Sequence, residues 1–120
     1  MSLKAKLDAV PDVEIDCFGT FKYIQIRVHT EGDDNKIIIR GNCNADYHSD
    51  IFEEVGPGID ALGLDASPIA GGRIRHEPDE KILKVYGYSM GYGKADHSLT
   101  KTILQKKYPD YKIEISDKGY

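Results

Sequence analysis

Lys22, His48 and the segment Gly87-Tyr88-Ser89-Met90-Gly91-Tyr92-Gly93 are the parts of this chain best equipped to react with or hold an anion. Gly87, Gly91 and Gly93 permit backbone angles that side chains forbid, so successive N–H groups can converge on a phosphate, helped by the Ser89 hydroxyl. His48 falls in the first turn of a helix predicted to begin near Ala45. The positive end of the helix dipole there favours neutral imidazole, the form that acts as base or nucleophile near neutral pH. Arg40 ends the strand feeding that helix, Arg73 follows Gly71-Gly72 at a strand start, and Lys22 opens a third strand. Taken singly, each cation reads as a solvated side chain. Taken with an anion-binding turn, they supply the charge and N–H donors that phosphoryl transfer requires.

The elements that must position these residues follow from hydrophobic period and punctuation. Residues 1–10 read as a short amphipathic turn or a frayed terminus. After Pro11, Asp12 to Asp16 is a short strand, and Phe21 to His29 a strong one. In the latter, Ile24, Ile26 and Val28 share one face, and Tyr23, Gln25, Arg27 and His29 share the other, predicting one deeply buried face and one mixed face. Lys22 points with the isoleucines, where it either snorkels to solvent or sits at the mouth of a site. Residues 31–35 form a hairpin loop, and Lys36 to Arg40 return as a β-branched strand. The spacing of Tyr47, Ile51, Phe52, Val55, Ile59 and Leu62 predicts a helix, with a kink or break at Gly56-Pro57-Gly58. Arg73 to His76 and Lys81 to Gly87 pair as a further hairpin. Asp96 or Ser98 caps a helix that ends at Lys106-Lys107, and Tyr111 to Ser116 is a final strand. The order predicts a mixed sheet covered by two helices, in a single α/β (α+β) domain spanning 1–120.

Composition narrows the classes. A chain of 120 residues with 40% apolar content supports one modest core, and its formal net charge of −4 argues against a general nucleic-acid binder, though a local basic pocket is compatible with it. Two unpaired-looking cysteines, no apolar signal segment and no membrane-length apolar run read as a reduced, intracellular, soluble protein. Cys17 and Cys43 are followed six positions on by Tyr23 and Ser49, not by arginine, so the tyrosine-phosphatase nucleophile loop is absent. His29, His48, His76 and His97 make no zinc-like pair, and no G-x-x-x-x-G-K-[ST] loop exists. These exclusions favour a mechanism without metal or cofactor.

Several ordered motifs together resemble the 14 kDa phosphohistidine phosphatases of the Janus/Ocnus family. They are Phe21-Lys22-Tyr23, Ile26-Arg27-Val28-His29, Arg40-Gly41, Asp46-Tyr47-His48-Ser49-Asp50-Ile51, Gly71-Gly72-Arg73-Ile74 and Val85 to Gly93, and the match continues through Lys107 to Tyr111 and Gly119-Tyr120. The resemblance implies a metal-independent hydrolase that removes phosphate from phosphohistidine in proteins and peptides, on a mixed six-stranded sheet flanked by two helices. It implies that His48 is the catalytic histidine, that Lys22 binds the substrate phosphate, and that Ser89, Met90 and Gly91 form the phosphate-binding turn through their N–H groups. Arg40 and Arg73 match site-associated arginines. Gly91 stands where a close family pattern has alanine.

Hydrolysis of a phosphoramidate needs attack at phosphorus, stabilisation of equatorial charge and protonation of the departing imidazole nitrogen. His48 can activate a water as general base or attack phosphorus directly, and the general base is narrowly favoured. A competing reading is a non-catalytic phosphoprotein-binding or regulatory module, since the family also includes proteins named for sex-regulated expression. Retention of His48 beside Lys22 favours the enzyme, because binding alone needs no neutral base. The expected partners are phosphohistidine-containing proteins or peptides, with no nucleic acid and no membrane. A monomer in the cytoplasm, extending to the nucleus, is the corresponding expectation.

Overall fold

The computed structural model describes residues 2–116, so the Gly119-Tyr120 pair lies outside the described residues. Its elements are α1 (Leu3–Ala9), β1 (Val13–Ile15), β2 (Gly19–His29), β3 (Asn35–Asn42), α2 (His48–Asp60), β4 (Asp65–Glu77), β5 (Ile82–Tyr86), α3 (His97–Lys107) and β6 (Lys112–Ile115). The six strands form one sheet in the order β1-β3-β2-β4-β5-β6. Its centre is antiparallel, and a parallel pair closes each edge. The mixed six-stranded sheet of the α+β class is thus as the sequence implies, with one helix more than expected. Residues 3–9 form a regular helix because the Ser2 hydroxyl accepts the Ala5 N–H at 3.1 Å and Leu7 is buried against the sheet.

Each face of the sheet carries a buried cluster. Ile24, Ile26, Val28 and Ile38 pack with Leu7 of α1 and with Ile51 and Ile59 of α2. On the opposite face Phe21, Tyr23, Ile39, Ile74, Leu83 and Val85 pack with Ile103 and Leu104 of α3. The face read as mixed is therefore deeply covered along its first half, where Tyr23 is 0% and Gln25 2% exposed. Burial is tolerable there because α3 returns polar partners. Tyr23 Oη lies 2.7 Å from His97 Nδ1 and 3.0 Å from Thr100 Oγ1, and Gln25 Nε2 donates to Thr100 Oγ1 at 2.9 Å and to the Asp96 carbonyl at 3.0 Å. Asp96 caps α3 as expected, accepting the Ser98 and Leu99 N–H groups.

Two expectations are corrected. α2 runs unbroken through Pro57 to Asp60, because the proline falls in the last turn, where its missing N–H costs one bond and the Ala61 N–H still reaches the Pro57 carbonyl at 3.0 Å. β4 begins at Asp65, eight residues before Arg73. Pro68 is accommodated where the pairing with β2 slips between Gln25 and Ile26, the kind of bulge at which a strand tolerates a proline.

Candidate functional site

His48 is the first residue of α2 and is 7% exposed. The entry of the chain into the helix is fixed by Asp50, whose Oδ2 accepts the Tyr47 N–H at 2.9 Å, while the Asp50 N–H donates to the Tyr47 carbonyl at 3.1 Å. Helix geometry leaves the N–H groups of His48 and Ser49 without partners inside the helix. His48 Nε2 lies 2.9 Å from the Gly72 carbonyl oxygen. A carbonyl only accepts, so Nε2 carries the proton and Nδ1 keeps the lone pair. Burial is the main cause that pulls the imidazole pKa below its ordinary value. The bond to Gly72 opposes it, and the charges of Lys22 and Arg73 reinforce it. The ring is a neutral base at neutral pH.

Room for that ring exists only because position 71 is glycine. A β-carbon there would stand 2.7 Å from His48 Cδ2 and 2.7 Å from the Tyr23 carbonyl oxygen. Gly71 also fastens the Gly/Ser turn to β4, since its N–H donates to the Gly93 carbonyl at 3.0 Å and its carbonyl accepts the Ala95 N–H at 3.0 Å. Within the turn, the Ser89 N–H donates to the Gly93 carbonyl at 3.1 Å and the Gly93 N–H returns to the Ser89 carbonyl at 2.9 Å. The Tyr92 N–H donates to Ser89 Oγ at 3.0 Å. The Ser89 N–H is thus spent on building the turn, and only the hydroxyl proton of that residue is left to donate. At the tip, the N–H groups of Met90 and Gly91 take no backbone partner among the described residues. Gly87 and Gly93 adopt φ of 76° and 95°, as a tight turn requires, whereas Gly91 has no positive φ.

Lys22, His48, Ser89, Met90 and Gly91 all line one cavity of about 390 Å³, with Tyr47 and Ser49 from the start of α2. Arg73 lies directly across from Lys22 in the β2–β4 pairing. Arg40 is not brought to this cavity. It is 5% exposed, donates to the Pro11 carbonyl at 2.8 Å and the Ile39 carbonyl at 2.9 Å, and places Nε 3.5 Å from Glu14. It lines a separate cavity of about 470 Å³ beside α1 and α2. Sequence reasoning missed Gly71 as the residue joining histidine to turn, although Gly-Gly before a strand is a signal of close backbone approach. It also missed the Tyr23-His97-Thr100-Gln25 network behind Gly72. Among the described residues no three His, Cys, Asp or Glu side chains gather as a metal site, and no helix is long and apolar enough to cross a membrane.

Fold and cavity together define a small α+β protein in which His48, Lys22 and the turn residues Ser89, Met90 and Gly91 line one cavity. The chain belongs to the Janus/Ocnus family, whose model matches residues 7–112. It is 55% identical over 114 residues to the sex-regulated protein janus-A of Drosophila mauritiana, covering 95% of this chain and 84% of that one. The janus-A protein of Drosophila melanogaster is 54% identical over the same share. The 14 kDa phosphohistidine phosphatase of Sus scrofa is 43% identical over 126 aligned positions, covering 100% of both chains.

Proposed function

We propose that the protein is a metal-independent phosphohistidine phosphatase acting on proteins and peptides, a single domain over residues 1–120. The observation that carries this reading is the His48 ring, neutral, pinned through Nε2–H to Gly72 and lining a cavity shared with Lys22. A module that only held phosphate would gain nothing from a base kept neutral by its surroundings. Full-length similarity to a named phosphohistidine phosphatase supports the same choice of substrate.

In this mechanism the Lys22 ammonium and the N–H groups of Met90 and Gly91 hold the equatorial phosphoryl oxygens, joined by those at the start of α2. Arg73, across from Lys22, adds positive potential. His48 Nδ1 takes a proton from water as its oxygen bonds to phosphorus and the P–N bond breaks. The imidazole nitrogen of the substrate takes up a proton from solvent as it leaves, inorganic phosphate is released, and His48 Nδ1 gives the proton it accepted back to solvent, which restores the neutral ring. The same Nδ1 is equally suited to attack phosphorus itself, giving a phosphorylated His48 that water then hydrolyses.

Phosphate release from a phosphohistidine peptide, with chelator present, is the test. Turnover by wild type and its loss in His48→Ala bear the proposal out. A label from radioactive phosphate retained on wild type after rapid quenching selects the covalent route, and its absence selects the water route. The higher identity to the janus-A proteins, whose name states no activity, leaves one rival, a phosphoprotein-binding module using the same cavity. Tight binding of the peptide by wild type with no release at any pH between 5 and 9 would establish that rival instead.

A further inference from the structure

The sheet face that carries Lys22 does not end at the cavity. On this side α2 packs chiefly on β2, β3 and β4, and the remainder of the face, formed by β4, β5 and β6, is open. Register fixes what stands there. Lys22 is opposite Arg73 and Arg73 opposite Tyr86, while in the next row Thr20 is opposite Arg75 and Arg75 opposite Lys84. Directly opposed residues project to the same side with β-carbons about 5 Å apart. Ile74, Leu83 and Val85, which alternate with them, are buried against α3, so these side chains are on the other face. Arg75 is exposed, and Arg73, Lys84 and Tyr86 are half-buried.

From β2 to β5 these two rows hold four cations, and on β6 the second row continues to Glu114, opposite Lys84. Two carboxylates share the face, Glu77 at 2.8 Å from Arg75 and Glu114 at 3.4 Å from Lys112, so with Lys112 the cations of these strands outnumber them five to two. In a chain whose formal net charge is −4, this is a local reversal of sign that abuts the candidate phosphate cavity. We infer that the open β4–β5 face docks an acidic polypeptide segment next to the phosphorylated histidine, with Arg75 and Lys84 setting the preference. The inference rests on the phosphohistidine reading of the cavity. From β2 to β5 the face spans two strand spacings, about 10 Å, the reach of about three residues of extended chain. A short run of Asp or Glu near the histidine fits it. A long polyanion would meet the net negative charge of the remaining surface.

Three phosphohistidine peptides that differ only in a three-residue flank of Glu, Gln or Lys test this, with phosphoramidate as a flankless substrate. At low ionic strength wild type is expected to turn over the Glu peptide with kcat/KM about tenfold above the Gln peptide, mostly through KM, and the advantage is expected to vanish at high salt. Arg75→Glu and Lys84→Glu are expected to erase it while leaving phosphoramidate turnover unchanged. Arg75→Gln and Lys84→Gln, which only remove charge, guard against misfolding of the reversals. Equal rates on the Glu and Gln peptides, or a preference that survives the substitutions, would overturn the inference. So would a short single-stranded oligonucleotide that displaces the Glu peptide at lower concentration than the peptide itself requires. Should no substrate be turned over, the phosphatase reading falls alone. Fluorescence anisotropy of a labelled, unphosphorylated Glu peptide then decides the docking, with salt-sensitive binding lost in the variants supporting it and no binding overturning it.

Discussion

Gly71 and His48 are in such close apposition that the histidine ring occupies the space a side chain at position 71 would fill. The same glycine ties the Gly/Ser turn to β4 through two backbone bonds. One residue thus sets the separation between the His48 ring and the Gly/Ser turn. Gly71→Ala must push the ring, the turn or β2 aside. Overpacking of this kind costs about 1–3 kcal/mol, and a misplaced base costs about 10²-fold in rate. Urea denaturation together with peptide turnover checks both. Unchanged kcat in a stable Gly71→Ala protein would show that the ring has room to move.

The depressed pKa of His48 has a sign that pH profiles can read. In the proposed mechanism His48 acts unprotonated, so kcat/KM is expected to be flat through neutrality and to fall only below the ordinary histidine value of about 6.5. Lys22→Ala removes a positive neighbour and is expected to move that acid limb to higher pH as well as raising KM. Stability follows the same group. The unfolded chain binds this proton at higher pH than the folded one, so the contribution is full above the unfolded value and is lost as pH falls toward the folded one. Denaturation midpoints at pH 7.5 and 5.5 are expected to differ more in wild type than in His48→Gln.

Within the turn, two glycines are expected to respond oppositely. Gly91 has no positive φ and open space around it, so Gly91→Ala is expected to leave stability within about 0.5 kcal/mol and activity near wild type. Gly93, at φ 95°, is expected to lose about 1–2 kcal/mol on conversion to alanine. Thermal melts of the two variants, read beside phosphate release, make the comparison.

On the far side of the sheet, Tyr23→Phe deletes the hydroxyl between His97 Nδ1 and Thr100. His97 Nε2 remains bonded to the Gly87 carbonyl at 2.9 Å, but its Nδ1 is left buried without that donor. A loss of about 1–3 kcal/mol is expected in chemical denaturation. A neutral result would mean that water or a shifted Thr100 replaces the hydroxyl.

Much of this architecture was legible in the chain. β2, β3, α3 and its Asp96 cap declare themselves by period and capping chemistry, and the motifs around Lys22, His48 and the turn place three distant segments at one cavity. What was not legible depended on partners remote in sequence. Tyr23 and Gln25 look like half-solvated residues until Thr100 and His97 arrive from α3 to satisfy them. Pro68 and Gly71-Gly72 look like punctuation, yet β4 runs through both, the proline at a register slip and the glycines under two packed histidines. Arg40 looks like a site cation because its strand leads to His48. Its guanidinium instead turns to the Pro11 carbonyl, a destination that spacing alone does not encode.

The edges of the sheet carry a consequence of their own. β1 contributes three residues and β6 four, against eleven and thirteen for the central β2 and β4. A strand so short offers a passing chain only a few unpaired backbone groups, too few to template intermolecular pairing. Long apolar strands are a hazard in crowded solution, and here every long one is interior to the sheet. Both edges of the sheet are thereby blunted, and the extended central strands that carry Lys22 and Gly71 have a paired neighbour on each side.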